Sequence, residues 1–166
     1  MRIRPENTHD AHAIRSVQYH AYNEHQYSYL SEYKIVDALR EENALALSLV
    51  AEDERDGVIG HATISPITIN GNGVGWYYLG PVGVLPEHQK HGVGSALITQ
   101  AVRATYGMGA KGLVSQGDPR FFKRFGFRND TRLSYNQVQP EHVVMIPMGK
   151  EVPQGAVALH PAYFIS

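Results

Sequence analysis

A chain of 166 residues, 43% hydrophobic and 19% charged, has the composition of a folded domain and can bury about 70% of its unfolded surface. Disorder and coiled coil are excluded. A net charge of -1 argues against a nucleic-acid footprint, and zero Cys removes disulfides, thiolate metal sites and a cysteine nucleophile.

The start, Met1 to Asn7, has no apolar signal-peptide core, and the near-apolar run Ala44 to Ala51 is far below membrane-spanning length. A cytoplasmic chain with no membrane partner is the expectation. Thr8, with Asp10 in the first turn, is expected to cap a helix carrying Ile14, Val17 and Ala21 on one face. Ser31 can cap a second helix with Ile35, Ala38 and Leu39. Ala46 to Glu52, an Asp53 to Gly57 turn and Val58 to Ile69 read as a hairpin. The turn Asn70-Gly-Asn-Gly73 leads into a third strand, Val74 to Val84.

The period then becomes helical through Val93, Leu97, Ala101 and Ala104, and a short strand follows at Leu113 to Gln116. A strand, helix, strand unit needs a right-handed crossover, so a mostly antiparallel sheet gains one parallel pair. Asp118 and Pro119 start a short helix that Gly126 ends, and Val143 to Met148 is expected to close the sheet. The fold class is α/β (α+β): one domain over 1–166, about seven strands, about four helices, and a C-terminal tail at 151–166.

Two features at the third strand and third helix break local rules. Gly80, Pro81 and Gly83 stand in a central strand, where Pro removes a ladder donor and Gly weakens pairing, so a bulge or splay is implied. Gly92 and Gly94 open a helix, where bared amides and the helix dipole suit a pyrophosphate. A Rossmann fingerprint would need Gly at Leu97, and a P-loop would need Gly-Lys-Ser/Thr; neither is present. Residues 86–132 carry eight Lys and Arg against three Asp and Glu, a local excess that suits a small polyanion.

Gln89-Lys-His-Gly-Val-Gly94 fits Gln/Arg-x-x-Gly-x-Gly/Ala, and so the chain resembles the GNAT superfamily of N-acetyltransferases, bacterial predicted members above all. Val82 to Gln89 resembles the family's fourth strand entering its motif, and Gly117 to Phe127 its later cofactor-flanking helix. The resemblance covers most of residues 1–148. It implies acetyl-CoA as co-substrate, without a metal, and an amine acceptor attacked directly in a ternary complex. Pantetheine would pair with backbone at Val82, Gly83 and Val84, in the splay between two parallel strands. Pyrophosphate would rest on Gln89, Lys90, His91, Gly92, Val93, Gly94 and Ser95, beside Phe122 and Lys123; Lys90, Lys123 or Arg124 would reach a phosphate.

By the same resemblance the Val84 N–H polarises the thioester carbonyl. For proton transfer His61 is the candidate base and Tyr78 orders water. The chain departs from the family at Phe122, which stands where the usual general-acid Tyr is found. That gap keeps two readings open, a non-catalytic acyl-CoA-binding regulator or sensor and an enzyme using another acid such as Ser115. Tyr19, Tyr22, Tyr27, Tyr29 and Tyr33 hold half of the ten tyrosines, and Tyr22, Tyr27 and Tyr29 are the candidate acceptor contacts. Neither the amine nor a choice between monomer and homodimer follows from the sequence.

Overall fold

The structure, a computed structural model, describes residues 1–22 and 32–164. Ser31, Tyr27 and Tyr29 therefore lie outside the described residues. Nine strands and four α-helices are found among those described. The strands are β1 (Arg2–Pro5), β2 (Leu47–Asp53), β3 (Gly57–Pro66), β4 (Thr68–Ile69), β5 (Trp76–Val84), β6 (Gly112–Gln116), β7 (Leu133–Ser134), β8 (Val143–Pro147) and β9 (Gly155–Ala158). The helices are α1 (Ala11–Tyr22), α2 (Glu32–Glu41), α3 (Val93–Gly107) and α4 (Pro119–Phe122).

The main sheet runs β1-β2-β3-β5-β6-β8, and a small one runs β4-β9-β7. As the crossover rule requires, β5 and β6 are parallel while the other main-sheet pairs are antiparallel. The mixed α/β fold class is therefore the expected one. The expected strand Val58 to Ile69 is divided: Pro66 ends β3, and Thr68–Ile69 pairs with β9 in the small sheet. Val74 and Gly75 precede β5 rather than begin it, with Gly75 at φ +79.

Alternation along β3 sets the two layers. A Cβ on Gly60 would meet Leu97 and Val93 of α3, and Ala62 and Ile64 share that core with Leu49, Leu79 and Leu113. On the opposite face Ile14 of α1, Val36 of α2 and Val50 of β2 pack together. The small sheet adds a third cluster around Trp76, Tyr78, Val114 and Met145. Among the described residues no helix is long and apolar enough to cross a membrane.

The start of α1 differs from the expectation. Thr8 does not cap it; the helix begins after Asp10, whose carbonyl accepts the Ile14 N–H at 2.8 Å. The Asp10 carboxylate turns back to accept the Asn7 N–H and the Arg4 guanidinium, each at 2.7 Å. Arg4 also reaches Glu52 at 3.0 Å, so one cation ties β1 to β2 and to the entry of α1. Its guanidinium holds the Asp10 carboxyl below the usual carboxylate range. At α4 the expectation holds: Asp118 is the N-cap and accepts the Arg120 N–H, with Pro119 at the first position.

Candidate acyl-CoA site

The parallel ladder between β5 and β6 stops early. Trp76, Tyr77 and Tyr78 pair with Gly112, Leu113 and Val114, and beyond them the strands part. On its other edge β5 continues against β3 to Val84, with a register shift opposite Ala62 to Ile64 that absorbs Gly80 and Pro81. Bulge and splay are thus both present, and together they bare the β6-facing edge of β5. The Leu85 N–H donates to Ile59 O at 2.9 Å. Strand alternation then turns the amides of Val82 and Val84 away from β3, into the gap.

A cavity of about 620 Å³ occupies this gap and passes through the sheet. Toward α3 it is lined by Val84, Gln89, Gly94, Ile98, Phe121 and Phe122. Toward α1 and α2 it is lined by Tyr22, Glu32, Ile35, Tyr78, Tyr163 and Phe164. Val82 and Gly83 lie between the two ends. A Cβ on Gly83 would stand 2.8 Å from Gln18 Oε1 and 3.0 Å from the Ala21 Cβ, so the bare position lets α1 cross close over β5.

Gly92 is the N-cap of α3 at φ +84, in the left-handed region. The first intrahelical donor is the Ala96 N–H onto Gly92 O, which leaves the amides of Val93, Gly94 and Ser95 at the helix mouth. No acidic residue stands in the first turn. Such a terminus accepts an anion through amides and dipole together. The Val93 side chain is buried in the core, so only its backbone can serve a ligand. Gln89 folds back to donate to Val84 O at 2.9 Å. Lys90, His91 and Lys123 are exposed outside the cavity lining. Arg124 stacks on Phe121 and Phe125, at 4.6 and 5.1 Å from the ring centres.

Placement separates the two proton-transfer candidates. Tyr78 lines the cavity, buried, and its hydroxyl accepts a hydrogen bond from Gln116 Nε2 at 2.8 Å. Burial pushes its phenol up, so it stays protonated. His61 is fully buried outside the lining, with Nδ1 bonded to Gln18 Nε2 at 2.8 Å and Nε2 to Ser48 Oγ at 2.7 Å. Burial lowers its pKa to about 3. This geometry lends no support to the direct-base role expected of His61: both ring nitrogens are engaged inside the protein, and His61 is not among the described residues that line the cavity. Ser115 spends its proton on Leu79 O at 2.8 Å.

Tyr22 donates to Val82 O at 2.6 Å, which places it at the cavity wall as an anchor of β5. Phe122 packs edge-on to Phe127 and fills the space where a Cβ on Gly117 would stand. From the sequence the segment from His160 to Phe164 is expected to dock in a structural role only; in the structure Leu159, Tyr163 and Phe164 line the cavity, and Tyr163 donates to Gly80 O at 2.6 Å. The apolar text Pro161-Ala-Tyr-Phe164 was the available signal, a segment composed to be covered. Asp53, Asp56 and His88 gather at the β2–β3 turn, away from this site, where Asp53 accepts the Asp56 N–H and Asp56 pairs with His88 at 2.8 Å.

A pierced α/β sheet with a glycine-capped helix at the opening is the arrangement that the resemblance to acyl-CoA-dependent transferases implies. Residues 45–129 match the model of the acetyltransferase (GNAT) domain, and this chain belongs to that family. Among solved structures it is 41% identical, with a TM-score of 0.87, to a GNAT family acetyltransferase from Brucella melitensis in complex with acetyl-CoA, covering 98% of this chain and 97% of that one. YhbS from Escherichia coli, in complex with CoA, is 25% identical at the same TM-score of 0.87, over 98% and 91% of the two chains. The curated sequence of YhbS from Escherichia coli K12, an uncharacterized N-acetyltransferase, is 33% identical over 97 residues. That match spans 58% of each chain.

Proposed function

We propose that this chain is an N-acetyltransferase that moves acetyl from acetyl-CoA to a primary amine by direct attack, with both substrates bound at once. The observation that carries the reading is the parting of β5 from β6 at Val82–Val84, beside the glycine-capped mouth of α3. The bared edge of β5 suits pantetheine as an added strand. The amides from Val93 to Ser95 suit the pyrophosphate, and the Val84 N–H polarises the thioester carbonyl. The acetyl-CoA complex of the Brucella relative supports this assignment.

In the reaction the amine nitrogen forms a bond to the carbonyl carbon, the C–S bond breaks, the nitrogen loses a proton and the sulfur gains one. A thiol resembling Cys lies about 1.5 units above pH 7, roughly 2 kcal/mol. Tyr78 gives its phenol proton to the sulfur and regains one from the amine nitrogen, so the buried phenol is not left ionised, and Gln116 holds the phenol oxygen in place. Deprotonating a Lys-like amine costs more, roughly 4 to 5 kcal/mol at pH 7. A cavity end with few polar groups reduces that cost by disfavouring the ammonium form.

Phe122, where the family's usual acid stands, favours a second reading, an acyl-CoA-binding sensor without turnover. Calorimetry with acetyl-CoA, run beside thiol release over a panel of amines, separates the two. Binding with release establishes the enzyme, and binding with no release establishes the sensor.

A further inference from the structure

The cavity has two chemically different ends, and the one facing α1, α2 and the C-terminal residues has no ligand chemistry assigned. It is largely apolar and rich in aromatic rings: Tyr78, Tyr135, Tyr163 and Phe164, with Leu159, are part of its wall. Tyr78 and Tyr163 meet edge to face at 5.3 Å. Both hydroxyl oxygens are held by the protein. Tyr163 donates to Gly80 O and shares 2.7 Å with Ser65 Oγ, while Tyr78 accepts from Gln116. With the Tyr163 hydroxyl turned into the protein and the Tyr78 oxygen held by Gln116, ring faces and edges make up most of this wall.

Charge is sparse among the described lining residues. Among the described residues lining the cavity, Glu32 is the sole carboxylate and no Lys, Arg or His is present. A polyamine or a basic peptide brings several cations and needs several carboxylates to receive them. An amino acid or a phosphorylated amine brings an anion and needs a cation, and a sugar needs many free donors and acceptors. An uncharged ring carrying one amine needs neither, and burying it against aromatic edges is favourable.

We infer that the acceptor is a primary amine on a neutral aromatic body, an arylalkylamine, and that Leu159, Tyr163 and Phe164 select it. The assignment rests on the acetyl-transfer reading above and names its second substrate. The ring lies among the C-terminal aromatics and the amine points through the sheet toward Val84.

The test measures thiol release from acetyl-CoA with phenethylamine, spermidine, a lysine-containing peptide and glucosamine, using the full chain. The expected kcat/KM for phenethylamine exceeds that for each other amine by about thirtyfold or more. Phe164, 58% exposed, can be changed without disturbing the core. Phe164→Ser is expected to lower kcat/KM for phenethylamine about tenfold, mainly through KM. Equal or better turnover of spermidine, the peptide or glucosamine overturns the acceptor class and leaves acetyl transfer standing. An unchanged KM for phenethylamine in Phe164→Ser overturns the role of the C-terminal residues. Release with none of the four, in protein that binds acetyl-CoA by calorimetry, overturns acetyl transfer and this proposal with it.

Discussion

Gln116 Nε2 donates to the Tyr78 hydroxyl across 2.8 Å, where β5 and β6 cease to pair. The two residues come from the two strands that part, so the bond spans the mouth of the opening and fixes the phenol there. Strand divergence and phenol orientation thus share one cause, the end of the parallel ladder at Tyr78 and Val114.

Removing the phenol while keeping the ring isolates the proton. Tyr78→Phe is expected to lower kcat for thiol release about a hundredfold, with acetyl-CoA affinity by calorimetry kept within about threefold. Gln116→Leu frees the phenol to rotate and is expected to cost about tenfold. Because burial raises the Tyr78 phenol, its ionisation does not set an alkaline limb near neutral pH. A Tyr78→Phe enzyme with wild-type kcat would remove Tyr78 from the mechanism.

Gly92 tests the anion mouth. A Cβ there meets nothing within 4 Å, so the requirement is its φ of +84 and not space. Gly92→Val imposes a left-handed strain of about 1 to 2 kcal/mol, which relaxes by moving the cap. Acetyl-CoA affinity is expected to fall about tenfold or more, whereas Gly92→Asn, tolerant of that region, retains most of it. Equal affinities in the two variants would mean that the α3 amides do not hold the diphosphate.

His61 makes stability pH-dependent. Burial lowers its pKa to about 3 in the folded chain against about 6.5 for an ordinary histidine, so the unfolded chain binds the extra proton between those limits. Stability is therefore full above about pH 6.5 and falls by about 1.4 kcal/mol per pH unit below it, until the folded pKa is reached. The total is about 5 kcal/mol. Urea titrations of His61→Gln from pH 7 to pH 4 are expected to show a flatter pH slope than wild type, even where the variant is less stable at pH 7. Parallel slopes would remove His61 as the cause.

The readable parts of the site were those whose causes are local. A glycine before a helix, a Pro in a strand and an Asp-Pro helix start each act within a few residues, and each has its expected consequence at Gly92, Pro81 and Asp118. Where the cause is distant the sequence is silent. β1 exists because it pairs with β2 across some fifty residues, Arg2 with Glu52, and its four residues carry too little pattern to announce it. His61 reads as a candidate base in isolation; Gln18 and Ser48, which enclose it, come from other elements. Tyr163 joins the cavity through Gly80, eighty-three positions away.

Phe122 supplies the last test of the proton path. Its ring lines the cavity and is held edge-on by Phe121 and Phe127, at 5.1 Å each, so a hydroxyl added to it stays near the opening. If Tyr78 already serves the departing sulfur, Phe122→Tyr alone changes kcat by less than about threefold. In the Tyr78→Phe background the same substitution is expected to recover about tenfold of the lost rate, a non-additivity that marks two donors for one proton. A rise of about a hundredfold in Phe122→Tyr alone would instead mean that the wild-type chain lacks its acid and that Tyr78 only packs.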